Sequence, residues 1–170
     1  KAMAENRDDF ILALYLGRYA GFRIHECFRM DTAAAEQALR ENALTVKGKG
    51  GKVRIVPIED ERILMMLKRV LAQTERGHKL LVPDGMPTDR SINALELFIY
   101  RHRNEISDEG SDRRLTFHGL RHTYAAEKYT RLTEGGMSAI DAHYAVSRLL
   151  GHERADVTNI YLASVRKRGR

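Results

Sequence analysis

The chain has 170 residues, 43% of them hydrophobic, enough for one domain with a real core and too few for two comfortable ones; the composition excludes a disordered chain. A formal net charge of +6 favours an anionic partner, with nucleic acid the first candidate. The single cysteine, Cys27, excludes an intrachain disulfide, and no apolar run approaches the roughly 20 residues of a membrane-spanning helix. Cys27 sits in an apolar run and reads as a small buried residue. No secretory signal opens the chain, so a cytoplasmic protein is expected, and Lys1 in place of an initiator methionine suggests a fragment of something longer.

The first helix is expected from Glu5 to Tyr19, with Phe10, Ile11, Leu14 and Tyr15 at helical spacing, Asn6 a candidate cap and Asp8 and Asp9 in the first turn. Gly21 ends it, and a second helix starts near Ile24. Arg23 therefore stands at a helix start just after a glycine break, with Glu26 three residues on and on the same face. A long cationic side chain placed so can point into a cleft; the plainer alternative is a surface ion pair.

Thr32 to Arg40 is alanine-rich and helical. Then the period changes: Ala43 to Lys47 and Lys52 to Ile58 are short, β-branched runs flanking Gly48-Lys49-Gly50-Gly51, a hairpin signal. The hairpin is basic through Lys47, Lys49, Lys52 and Arg54 and could carry a mobile lysine into a DNA groove. It is no phosphate-binding P-loop, because the Gly-x-x-x-x-Gly-Lys-Ser/Thr pattern is absent. Glu59 to Thr74 is an amphipathic helix, Leu80 to Val82 a candidate third edge strand, Ser91 to Ile106 another helix and Ser107 to Arg114 a loop.

Thr116-Phe-His-Gly-Leu-Arg-His-Thr-Tyr124 follows, with His118 and Arg121 on one face of a helix start. Helices are expected again from Ser138 to Leu150 and from Asp156 to Ala163, before a basic tail, Arg166 to Arg170. Gly151-His152 closes the first of these two helices and Tyr161 lies on the second. A phenol titrates near pH 10, so it is a poor nucleophile at neutral pH unless cations surround it.

Gly21-Phe-Arg-Ile-His-Glu26, the Gly48 to Pro57 hairpin, His118-Gly-Leu-Arg-His122, Leu150-Gly-His152 and Tyr161 resemble the tyrosine recombinase (phage integrase) family, in that family's order and spacing, over about residues 10 to 163. The resemblance implies an α+β, mainly α catalytic domain with a small three-stranded antiparallel sheet, and residues 1–170 are read as that single domain, with an N-terminal DNA-binding domain absent. Carried over by position, Arg23 and Arg121 would clamp the scissile phosphate. Lys49 would be the acid for the leaving 5′-hydroxyl, His118 would assist proton removal from the nucleophile Tyr161, and His152 would donate a hydrogen bond to phosphate. Lys47, Lys52 and Arg54 are candidate DNA contacts. His25 stands where a serine is commoner. The resemblance further implies a bacterial or phage protein acting on double-stranded DNA through a 3′-phosphotyrosine, with no metal, ATP or other cofactor. It would form a homotetramer on DNA and a monomer or weak oligomer in free solution.

The physics of phosphoryl transfer agrees, since two arginines give permanently charged, bidentate contacts to the non-bridging oxygens. Both arginines are thus expected to act in the transition state more than in folding. Two other readings compete. A metal hydrolase could use His118 and His122, four apart on a helix, with His152 as third ligand, but position 119 is Gly where a His-Glu-x-x-His motif needs Glu. A DNA-binding module without catalysis would keep the charge and lose a site residue, and none is visibly lost.

Overall fold

The computed structural model describes residues 7–48, 51–106, 115–152 and 158–159, with 2, 3 and 5 before them. Seven helices and one hairpin make up the described elements: α1 (Asp8–Tyr19), α2 (Ile24–Cys27), α3 (Thr32–Glu41), β1 (Ala43–Lys47), β2 (Val53–Pro57), α4 (Glu61–Leu71), α5 (Thr88–Ile106), α6 (Phe117–Glu134) and α7 (Ala139–Leu150). Asn6, the 107–114 segment and the basic tail lie outside the described residues.

Helix α1 is the central post. Leu12, Ala13 and Leu16 are fully buried, and α4 and α6 pack on it. The main core joins Phe10, Phe22, Phe28, Leu44, Val56, Leu67 and Leu95, and a satellite cluster of Tyr124, Ala125, Val146 and Leu150 seals α6 to α7. Cys27 is buried, and that burial raises its thiol pKa, so it is the inert small residue the sequence implies.

The helix ends follow local chemistry. The Asp31 carboxylate accepts from the Ala34 N–H at the start of α3, Ser138 caps α7 and Thr116 caps α6. Helix α5 begins at Thr88, three residues before the expected start at Ser91: Pro87, with its fixed φ, precedes it and its carbonyl takes the Arg90 N–H. Ser91 is instead buried inside the helix.

Strands β1 and β2 pair antiparallel, Ala43 opposite Pro57 through Lys47 opposite Val53. Among the described residues this sheet has two strands, not the expected three. The segment from Leu80 to Val82 is no strand. It joins the chain at residues 30–32, through an Asp31–Lys79 bridge and the Leu80 N–H to the Met30 carbonyl. Leu80 and Leu81 are buried, which accounts for the apolar run, but Pro83 has no N–H to extend a ladder.

Candidate active site

Two glycines draw three elements together. Gly21 has φ +66°, and a Cβ there would lie 2.4 Å from Cδ1 of Tyr124 and 3.2 Å from a Leu150 methyl. Only glycine lets the chain turn after α1 while lying flat on α6 and the end of α7. Gly151 has φ +65°; its N–H bonds to the Arg148 carbonyl and the next N–H, of His152, to the Ser147 carbonyl. This pair of bonds stops α7 with a left-handed residue and turns His152 out of the helix at once.

The Thr116 hydroxyl accepts from the Gly119 N–H at 3.0 Å and sets the first turn of α6, which carries His118; Arg121 follows one turn later. Arg121 is fully buried and is the largest such side chain. Its Nη1 donates to the Gly21 carbonyl, and its Nη2 donates to the Leu150 carbonyl at 2.6 Å and reaches His152 Nε2 at 3.2 Å. A guanidinium thus ties the two glycine turns together. This revises one expectation: Arg121, expected to act in the transition state more than in folding, holds the fold.

Arg23 is the N-cap of α2. Its backbone N–H donates to Glu26 Oε2 at 2.7 Å, and its Nη1 to Glu26 Oε1 at 3.1 Å. Arg23 keeps 31% of its side chain exposed while Glu26 keeps 1%. Arg54 completes the arrangement with a bidentate bond to Glu26, at 2.8 and 2.7 Å. Burial alone would raise the Glu26 pKa. The Arg54 hydrogen bonds and charge, the Arg23 N–H and the Arg121 charge override that and hold it at about 2. Arg54, expected among the DNA contacts, is therefore turned inward, with 9% of its side chain exposed. Strand alternation is the reason, since Arg54 pairs with Val46 on the buried face.

His152 accepts from a side chain that has only donors, so its Nε2 carries the lone pair and its Nδ1 the proton. Nδ1 lies 2.9 Å from Thr158 Oγ1. Burial, then the charges of Arg121, Arg23 and Arg54, hold the His152 pKa at about 4, against an opposite pull from Glu26. His118 is also pushed down, by burial, Arg121 and Arg23. Both rings are neutral at pH 7, as a proton acceptor must be.

The structure thus brings Arg23, His118, Arg121 and His152 into one electrostatic cluster around Arg121, with Glu26 beside it. Lys47 and Lys52 are exposed on the hairpin, while Lys49 and Tyr161 lie outside the described residues. Sequence reasoning missed Thr158. Its signal is a hydroxyl residue three before Tyr161, on the same face of the expected helix. The metal reading loses its third ligand, because both His152 ring nitrogens are engaged by Arg121 and Thr158. Among the described residues, the group of three that could meet at a cation is Glu75, His78 and Asp84, beside a cavity of about 390 Å³ that holds none of the predicted residues.

Residues 3–168 match the phage integrase family. The tyrosine recombinase XerC of Thermodesulfovibrio yellowstonii is 31% identical over 170 residues, which cover 91% of this chain and 49% of that protein. The chain spans half or less of the length of the curated relatives it matches. In fold it is similar to the XerA recombinase, with a TM-score of 0.66 at 21% identity over 96% of this chain and 58% of that one. It is also similar to the XerH site-specific recombinase bound to palindromic difH, with a TM-score of 0.61 at 19% identity over 93% of this chain and 42% of that one. Together with the cluster around Arg121, the match over residues 3–168 places the chain in the phage integrase family.

Proposed function

We propose that the chain is the catalytic domain of a site-specific DNA recombinase that breaks and rejoins strands through Tyr161. The observation that carries this reading is the neutral His152 seated on a buried Arg121, with Arg23 half-exposed beside them. Such a cluster attracts and orients a phosphate diester, and it needs no reorganisation at the moment of reaction.

In the proposed cycle the Tyr161 phenol oxygen attacks phosphorus, giving its proton toward His118. The bond from phosphorus to the 5′-oxygen breaks, Lys49 protonates that oxygen, and a 3′-phosphotyrosine remains. Attack by a 5′-hydroxyl from another strand reverses these steps. Bond energy is conserved in the protein–DNA link, so the cycle calls for no ATP and none of its steps needs a metal. Arg23 and Arg121 bind the non-bridging oxygens, and Lys47 and Lys52 meet the DNA backbone. As the resemblance implies, a second DNA-binding domain in the whole protein would complete a clamp on the duplex. Four protomers would act on the paired sites, with the protein monomeric or weakly associated without DNA.

The test is the adduct. Incubated with a nicked duplex that traps the intermediate, the protein should yield a covalent protein–DNA product whose peptide map ends at Tyr161. Tyr161→Phe should bind the same duplex and give no adduct. An adduct that survives in this variant would overturn the assignment.

A further inference from the structure

Thr158 is fully buried, and its hydroxyl lies 2.9 Å from His152 Nδ1. It comes three residues before Tyr161, and among the described residues this bond joins the segment that leads to the tyrosine to the arginine cluster. Resting on the recombinase reading above, we infer that Thr158 is a positioning residue: its hydroxyl holds the His152 ring against Arg121 and lets that ring move its proton from Nδ1 to Nε2 when a phosphate diester binds.

The argument starts from hydrogen-bond roles. Arg121 Nη2 points at His152 Nε2, and an arginine can only donate. Nε2 must accept, and Nδ1–H donates to Thr158. A phosphate oxygen competing for the Arg121 donors is itself acceptor-only. A lone pair on Nε2 would then face an anion, whereas an N–H there would bind it. The exchange leaves the ring neutral: one proton leaves Nδ1 for solvent and one is taken up at Nε2.

The partner of Nδ1 decides whether this exchange is open. A carboxylate or a carbonyl can only accept, and would lock the proton on Nδ1. A threonine hydroxyl accepts from Nδ1–H in one state and donates to bare Nδ1 in the other by rotating about one bond. Among the described residues, burial and the charges of Arg121, Arg23 and Arg54 oppose the alternative of adding a net charge to the ring, and Glu26 favours it.

The experiment compares wild type, Thr158→Val, Thr158→Ser and Tyr161→Phe, all in the full-length protein. Imidazole nitrogen shifts give the His152 tautomer at pH 7, free and with dimethyl phosphate, a diester that is acceptor-only. Adduct formation is followed with a nitrophenyl diester of thymidine 3′-phosphate, whose leaving group needs no acid. Free wild type should show the Nδ1–H form and move to Nε2–H with dimethyl phosphate. Thr158→Val should fall roughly 10- to 100-fold in adduct rate, the range seen when a partner orienting a functional histidine is lost in metal sites. The loss should lie in kcat rather than KM, and Thr158→Ser should restore it.

A free protein with Nε2–H or a cationic His152 would overturn the inference. So would a Thr158→Val variant that reacts at the wild-type rate while Tyr161→Phe is inert. If wild type itself forms no adduct, the recombinase reading falls, and the nitrogen shifts alone decide whether Thr158 sets the tautomer.

Discussion

Arg121 and Lys47 are both cations that a phosphate could meet, and the protein holds them in opposite ways. Arg121 has no exposed surface, and its guanidinium is bonded to the carbonyls that end two turns. Lys47 stands on the outward face of a two-stranded hairpin, opposite Val53, beside Ile55; these two apolar residues are each 62% exposed. The first charge is fixed before any ligand arrives, and its desolvation is already met in folding. The second keeps its hydration and its rotamers until it meets a partner. A group that stabilises charge in a transition state gains from the first arrangement, because the guanidinium is already in position when that charge develops. A group that only adds attraction to a polyanion needs no more than the second.

Substitution on both sides gives the sharpest test. Arg121→Ala should lose about 3–5 kcal/mol of stability, from the cavity and two orphaned carbonyls, and its cleavage as well. Arg23→Ala should lose cleavage by about 10²–10³-fold, as for an oxyanion-hole donor. Its stability should stay within about 1 kcal/mol, because its pair with Glu26 is part-exposed. Lys49→Ala should melt like wild type and cleave about 10²–10⁴-fold more slowly. Replacing the bridging 5′-oxygen by sulfur should restore it, since a thiol of pKa near 8.5 leaves without an acid. Urea melts and single-turnover cleavage read all three. Sulfur rescue of Lys52→Ala in place of Lys49→Ala would move the acid to Lys52.

The fixed side should also show in acid. Glu26 titrates at about 2 against an ordinary 4.5. A depressed carboxylate contributes stability that is fully present above the unfolded value and lost as pH falls through the folded one, so the window runs from about pH 4.5 down to 2. The shift corresponds to about 3 kcal/mol at neutral pH. His118 and His152, both lowered, add to the same acid limb from 6.5 downward, because the unfolded rings take up protons first. Glu26→Gln separates the terms. Its deficit against wild type should be large at pH 6 and shrink toward pH 2, and a deficit constant across that range would break the assignment of the low pKa to Glu26.

Much of this was legible in the chain. Helical spacing marked α1, the alanine-rich run marked α3, His118 and Arg121 marked the start of α6, Gly151-His152 marked the end of α7, and the glycine-flanked β-branched runs marked the hairpin. Arg23, His118, Arg121 and His152 could be singled out by their setting, and the fold brings them together. Depth was not legible. Nothing local tells that Arg121 is buried, because its partners are backbone carbonyls at Gly21 and Leu150, distant in sequence. Arg54 was misread for a different reason: its basic neighbours suggested a surface, although strand alternation already set it with Val46 and Val56. The apolar run at Leu80 was read as strand because burial looks the same in a strand and in a buried turn.

The smallest expected effect belongs to the hairpin. Each phosphate neutralised by a lysine releases counterions, and the slope of log affinity against log salt changes by about 0.9 per contact on duplex DNA. Lys47 and Lys52 are exposed, so either can reach a phosphate without disturbing the core. Lys47→Ala and Lys52→Ala should each make the slope shallower by about 0.9, and the double variant by about twice that, with unchanged melting. These losses should be the same on any duplex sequence, because the contacts read backbone charge and not base edges. Arg54→Gln supplies the contrast: it removes one positive charge from the same strand, but an inward one already bonded to Glu26. That variant should lose stability and, while folded, keep a slope near that of wild type. A slope that falls for Arg54→Gln and stays for Lys47→Ala would mean that the hairpin turns over on DNA, and that the division between fixed and solvated cations holds only in the free protein.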